Sequence, residues 1–121
     1  MEGKIRIGSW ITLGHPAIAE IMSAAGFDWL VVDLEHSAIG IERAEELIRI
    51  IDLPGVTPLV RLSSNNPEQI KRVMDSGSHG IVVPMVKTAE DAINAVRAVH
   101  YPPVGDRSVG LARAQKYGVE F

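Results

Sequence analysis

The chain of 121 residues contains no cysteine, which excludes disulfides, thiolate metal sites and a cysteine nucleophile. It also lacks a surplus of positive charge. Twelve Lys and Arg against 15 Asp and Glu leave a formal net charge of −3, so no basic face is set up for nucleic acid or acidic lipid. Long apolar runs are missing. None approaches the roughly 20 residues of a membrane span, and the opening MEGK has neither part of a secretory signal. The expected location is therefore the cytoplasm, with no nucleic-acid and no membrane partner. What remains, 46% apolar and 22% charged residues, is the composition of an ordinary globular domain, and the length suits a single one.

The hydrophobic pattern alternates between two periods. Residues 5–13 (IRIGSWITL) read as a strand ended by Gly14. Pro16 at a first helical position opens PAIAEIMSAA, with Ile18, Ile21, Met22 and Ala25 on one face and Gly26 closing it. Residues 27–33 form an apolar strand of the kind buried on both faces. Ile41, Ala44, Leu47, Ile48 and Ile51 then recur at helical spacing. After the Pro54-Gly55 break come a strand over 57–61 and a helix over 67–75, capped by Asn66 and ended by Gly77. Residues 80–86 (GIVVPMV) are a fourth apolar strand. Thr88 caps a fourth helix through Ala98, with Ala92, Ile93, Val96 and Val99 predicted inward. Residues 101–121 read as a long loop with a helical turn near its end.

Four βα units in succession imply an α/β fold of parallel strands joined by right-handed crossovers. An open doubly wound sheet and part of a (β/α)8 barrel both fit, and in both ligands bind at the carboxyl ends of the strands. Asp33, Arg61 and Pro84 fall at such ends. The stretch VVDLEHSAIG (31–40) passes from an apolar strand straight into Asp33, Glu35 and His36. A surface turn needs polarity, but not two carboxylates and an imidazole. His36, oriented by Asp33 or Glu35, has the chemistry of a general base; the plainer reading is a loop histidine beside two solvated acids. Glu35 and His36 are adjacent and diverge in an extended chain, so they make a weak metal site by themselves. Arg61 suits a carboxylate, a keto oxygen or a developing oxyanion, and otherwise a salt bridge to a loop acid. Lys87 suits a Schiff base, although a solvated lysine is commoner. Trp10 lines either a ligand pocket or the core. GDRSVG (105–110) follows no strand and precedes no Gly-Lys-Ser/Thr, so it is a poor phosphate loop. His15, His79 and His100 read as surface or capping residues.

FDWLVVDLEHSAIG, PLVRLSSNNPEQIKRVMDSG, GIVVPMVKTAEDA and YPPVGDRSVGLARAQKYG follow one another in this order. Together, over about residues 8–117, they resemble the amino-terminal half of the HpcH/HpaI aldolase and citrate lyase family, and its 2-keto-3-deoxy acid aldolases in particular. The resemblance implies a metal-dependent (class II) pyruvate aldolase on a TIM barrel, acting on a keto acid and assembled as a homo-oligomer, a hexamer or trimer. It implies that His36 is the catalytic base and that Arg61 steadies the pyruvyl keto oxygen and the enolate. Trp10 matches a tryptophan near the aldehyde pocket. Asp75 matches an aspartate that raises the histidine's basicity. Since Asp75 ends the third predicted helix, on the far side of its own barrel from His36, it would act across a subunit interface, and Asp33 is the nearer carboxylate. The implied cofactor is a divalent cation (Mg2+, Mn2+ or Co2+). The resemblance places its Glu and Asp ligands on later strands, beyond Phe121, so no metal ligand is expected within this chain.

A full barrel needs about 250 residues. The expectation is therefore one partial domain, the first four βα units, with strand 6–13 and strand 80–86 each unpaired on one side and prone to recruit another chain. Two other readings stay open: a half barrel that is inactive alone, and a CoA-ester lyase of the same superfamily.

Overall fold

The computed structural model describes residues 3–119. Phe121, past which the metal ligands are expected, lies outside the described residues. The elements alternate as the pattern predicts: β1 (Gly8–Ile11), α1 (Pro16–Ser23), β2 (Trp29–Asp33), α2 (Ile41–Asp52), β3 (Thr57–Arg61), α3 (Pro67–Asp75), β4 (Gly80–Val82), α4 (Ala89–Val99) and a 3-10 turn (Arg113–Gly118). The four strands pair in parallel in the order β1-β2-β3-β4. A doubly wound sheet reverses its order at a switch point; this one does not. Successive right-handed crossovers in one direction place the helices on one face, which is the arrangement of consecutive units in a barrel wall.

Three of the four helices, α1, α3 and α4, start where a side chain supplies an acceptor for their free amides. The Asn66 side chain accepts from the Glu68 and Gln69 amides, and Thr88 and Asp91 form a reciprocal capping box. His15 caps α1 through its own imidazole, accepting from the Ala17 amide, which bears out the capping reading of that residue. Gly77, at φ +101°, takes the left-handed turn after α3.

The core lies between sheet and helices. Ile11, Leu30, Val32 and Val60 meet Ala44, Leu47, Ile48, Ile51, Ile70 and Val73, all fully or almost fully buried. The 3.6-residue spacing of α2 sends Ala44, Leu47, Ile48 and Ile51 fully inward, with Ile41 packed at the edge of the same cluster. Each large aliphatic in that stripe contributes about 1.5–3 kcal/mol through removal from water. Pleating turns the alternate strand residues Trp10, Val31, Asp33, Leu59 and Arg61 to the opposite face, in the register Trp10–Val31–Leu59 and Asp33–Arg61.

Three expectations need correction. The outer strands are shorter than 6–13 and 80–86, because each pairs on one side here and Pro84 has no amide to continue β4. Ile21 and Ala25 are exposed, while Ile18 and Met22 pack against the core as expected and Ala19 is fully buried, since the short α1 turns its Ala19 side to the core. In α4 the buried residues are Ala95 and Ala98, and Val99 packs against the core as expected. Ala92, Ile93 and Val96 are exposed, because α4 packs on α3 and small residues permit the close approach. The segment after α4 ends in the expected helical turn, and it is tied down by ion pairs from Arg97 to Asp106 and from Arg113 to Asp52.

Gly8 is required by packing rather than by a turn. A Cβ built there would overlap the Trp29 ring. Gly8→Ala should lower stability by about 1–3 kcal/mol through overpacking, read as a shift in the urea midpoint. In a Trp29→Leu background the cost should shrink; an equal cost in both backgrounds would remove the indole from the explanation.

Candidate active site

The register of the two central strands builds the site. Asp33 and Arg61 are partners at the carboxyl ends of β2 and β3 and share the face turned away from the helices. Arg61 closes a two-pronged ion pair, Nε to Oδ1 at 3.0 Å and Nη2 to Oδ2 at 2.6 Å. Such a planar fork is the strongest form of this contact. Asp33 is 1% exposed, so it could not stay ionised without these donors. Its Oδ1 also accepts the amides of Glu35 (2.9 Å) and His36 (3.2 Å), which folds the chain sharply just past the strand. The Ser37 hydroxyl donates to the Asp33 carbonyl and accepts from the Ile39 amide, closing the turn.

The Arg61 hydrogen bond is the main cause that holds the Asp33 carboxyl down at about 2, against the opposing effect of burial; the two amides assist. The same contact raises Arg61 above its ordinary value. On its other side the guanidinium lies over the Trp10 ring, 4.5 Å from the centroid. Trp10 is 41% exposed, so it belongs to the site face and not to the core. Arg61 Nη1 makes no hydrogen bond among the described residues, and the side chain is 26% exposed. The salt-bridge reading of Arg61 thus holds for one edge of the guanidinium, and leaves Nη1 without a partner among the described residues.

His36 sits at the rim with its side chain 70% exposed. Of the two carboxylates that could orient it, Asp33 is occupied by Arg61 and by backbone amides. Glu35 is the one that faces the ring, 3.3 Å from Oε1 to Nε2, and the same oxygen lies 3.5 Å from Arg61 Nε. This shared contact is not legible in the sequence, because Asp33 and Glu35 look equivalent until the register assigns one of them to Arg61.

The structure brings together Asp33, Glu35, His36, Arg61 and Trp10. It does not bring Asp75 to them within this chain. Asp75 ends α3, at the amino-end side of the sheet, where Arg107 holds it at 3.3 Å. Arg107 is a further residue that sequence reasoning passes over; it also stacks on Tyr101. Lys87 is exposed in the loop before α4, where its amide donates to Asp91. His79 pairs with Asp52, and His100 follows α4, both at the surface. Gly105 packs against the carbonyls of Arg97 and His100, so the GDRSVG segment is a structural corner. Among the described residues no three His, Cys, Asp or Glu side chains converge on a metal position.

A parallel, sequentially ordered α/β chain thus carries a cation, two carboxylates, an imidazole and an indole at its strand ends, where this topology binds ligands. The family model for the HpcH/HpaI aldolase/citrate lyase family matches residues 6–117, and the chain belongs to that family. It is 40% identical over 97% of its length to a 4-hydroxy-2-oxovalerate aldolase of Novosphingobium aromaticivorans, covering 45% of that protein. It is 41% identical over 95% of its length to a 4-hydroxy-2-oxo-heptane-1,7-dioate aldolase of Salmonella dublin, covering 44% of it. A crystal structure of a family member from Burkholderia cenocepacia J2315 superposes with a TM-score of 0.89 at 31% identity, over 98% of this chain and 49% of that one. The chain thus spans about half the length of the relatives it matches. No helix among the described residues is long and apolar enough to cross a membrane.

The Asp33 shift fixes a pH dependence. A carboxyl whose folded value lies near 2, against an ordinary 3.8, contributes stability that is fully present above about pH 4 and is lost as pH falls toward 2. The difference in urea midpoint between wild type and Asp33→Asn should be constant from pH 7 to 5 and shrink between pH 4 and 2. A difference that does not change over that window would show that the pair is not the source.

Proposed function

We propose that the whole protein is a carbon–carbon lyase that cleaves a 4-hydroxy-2-oxo acid to pyruvate and an aldehyde. The observation that carries this reading is the free Nη1 edge of Arg61, fixed beside an imidazole at the strand ends. A guanidinium locked on one edge and open on the other is preorganised for an oxygen that gains charge during reaction. The relatives named as 4-hydroxy-2-oxo acid aldolases support the substrate class.

In this reading the substrate's keto oxygen lies at Arg61 Nη1 and its C4 hydroxyl faces His36. The imidazole takes the hydroxyl proton as the C3–C4 bond breaks. The C4 oxygen becomes the aldehyde carbonyl, and the bonding pair moves into C3 and the keto group, giving the enolate of pyruvate. Arg61 neutralises that oxyanion, and a proton delivered to C3 completes pyruvate. Trp10 closes one side of the guanidinium and limits its hydration. Asp33 takes no proton; it fixes the angle of Arg61. Asp75 acts on this site only if a neighbouring subunit in the proposed homo-oligomer presents it.

The divalent cation implied by the resemblance does not fit a site built from the described residues alone. Its carboxylate ligands are proposed to come from beyond Phe121, outside the described residues. Treatment of the whole protein with a chelator should abolish pyruvate release, and Mg2+, Mn2+ or Co2+ should restore it. Full activity in the chelated protein would end the class II reading.

His36→Gln should lower kcat by about 100-fold or more, the usual scale for a lost general base, with the fold intact by circular dichroism. Arg61→Lys should be nearly as damaging as Arg61→Ala, because an ammonium cannot hold Asp33 with two prongs and still offer a third donor in the same plane. Near wild-type turnover in Arg61→Lys would reduce the arginine to a bare charge.

A further inference from the structure

We infer that Glu35 is the positioning residue that couples the base to the oxyanion cation, handing its carboxylate from Arg61 to His36 when a substrate oxygen arrives. The inference rests on the lyase reading and adds to it the order of events within the site.

Three contacts carry it. Glu35 Oε1 is shared, 3.3 Å from His36 Nε2 and 3.5 Å from Arg61 Nε. Asp33 cannot take over the imidazole, since its oxygens already receive Arg61 Nε, Arg61 Nη2 and two backbone amides. Arg61 is therefore held by one short two-pronged contact to a buried carboxylate and one long contact to Glu35, whose side chain is 20% exposed. A ligand oxygen at Nη1 adds negative charge to a guanidinium that already faces two carboxylates, and so weakens its hold on them. The long contact yields, because Asp33 is buried and would be left as an uncompensated charge, whereas Glu35 has a second partner within reach.

The consequence for the imidazole is specific. With Nε2–H donated to Glu35, the proton-accepting lone pair is on Nδ1, so Nδ1 faces the substrate hydroxyl. A carboxylate on the far nitrogen also stabilises the imidazolium that forms when the proton is taken. Occupation of Arg61 thus strengthens the base at the moment a substrate is in place to be cleaved.

The test uses Glu35→Gln in the whole protein, an isosteric change at a partly exposed position, with pyruvate as the probe. Retro-aldol turnover should fall by about 10- to 100-fold in kcat, while KM stays within about threefold, since Glu35 does not touch the substrate. In parallel, 15N NMR of labelled imidazoles reads His36 without requiring turnover. Saturating pyruvate should move the His36 Nε2 resonance in the wild type and leave it in place in Glu35→Gln. A kcat within twofold of wild type, or an equal pyruvate-induced shift in both proteins, would overturn the coupling. Should the wild type release no pyruvate from any 4-hydroxy-2-oxo acid, the lyase reading fails while the resonance comparison still decides the role of Glu35.

Discussion

The ion pair between Asp33 and Arg61 is the contact on which the site depends. It joins two strands at their carboxyl ends, and it forms only because the parallel register sets residue 33 against residue 61. A slip of one residue in either strand would send one partner to the helix-facing side, among Leu30, Val32 and Val60. The apolar core and the charged pair therefore specify the same register from opposite faces of the sheet. Agreement between levels of this kind marks a sequence that encodes a single fold.

The pair also shapes the loop beyond it. Asp33 has acceptor capacity left after Arg61, and the amides of Glu35 and His36 fill it. One carboxylate thus terminates a strand, aims a guanidinium and folds the turn that presents the imidazole. This answers why the chain concentrates ionisable groups where β2 stops. The buried acid organises the site, and the groups proposed to meet a ligand stand further out, Arg61 on a strand end and His36 on a turn pinned to Asp33.

Much of this is legible in the residues. The alternation of periods carries the order of strands and helices, and the caps at Asn66 and Thr88 follow from their side-chain chemistry. The stripe of α2 is readable because Ile, Leu and Glu separate cleanly around that helix. The failures share one cause. Ile21, Ile93 and Val96 look inward on a helical wheel, but the wheel does not know how many neighbours a helix has. Alanines at 19, 95 and 98 carry little hydrophobic signal, yet they mark the closest approach. At the site, spacing brings Asp33, His36 and Arg61 to one end of the sheet. It cannot divide the work between Asp33 and Glu35, since both stand within three residues of the imidazole. That division needs the cross-strand partner, which is information no local window contains.

The division has a physical logic. A carboxylate buried to 1% exposure and held by four donor contacts is costly to move. A partly exposed carboxylate with two loose partners is cheap to move, because water and a second cation compensate any contact it gives up. Placing Asp33 and Glu35 two residues apart at one strand end puts a fixed and an adjustable acid on the same guanidinium. In the proposed reaction the fixed one preserves the angle of Arg61. The adjustable one lets occupation of Arg61 by a ligand be felt at His36, although the imidazole itself has no hydrogen bond to the arginine among the described residues. Precision and responsiveness conflict within a single side chain, and the alternation of a β-strand running into a tight turn separates them onto two.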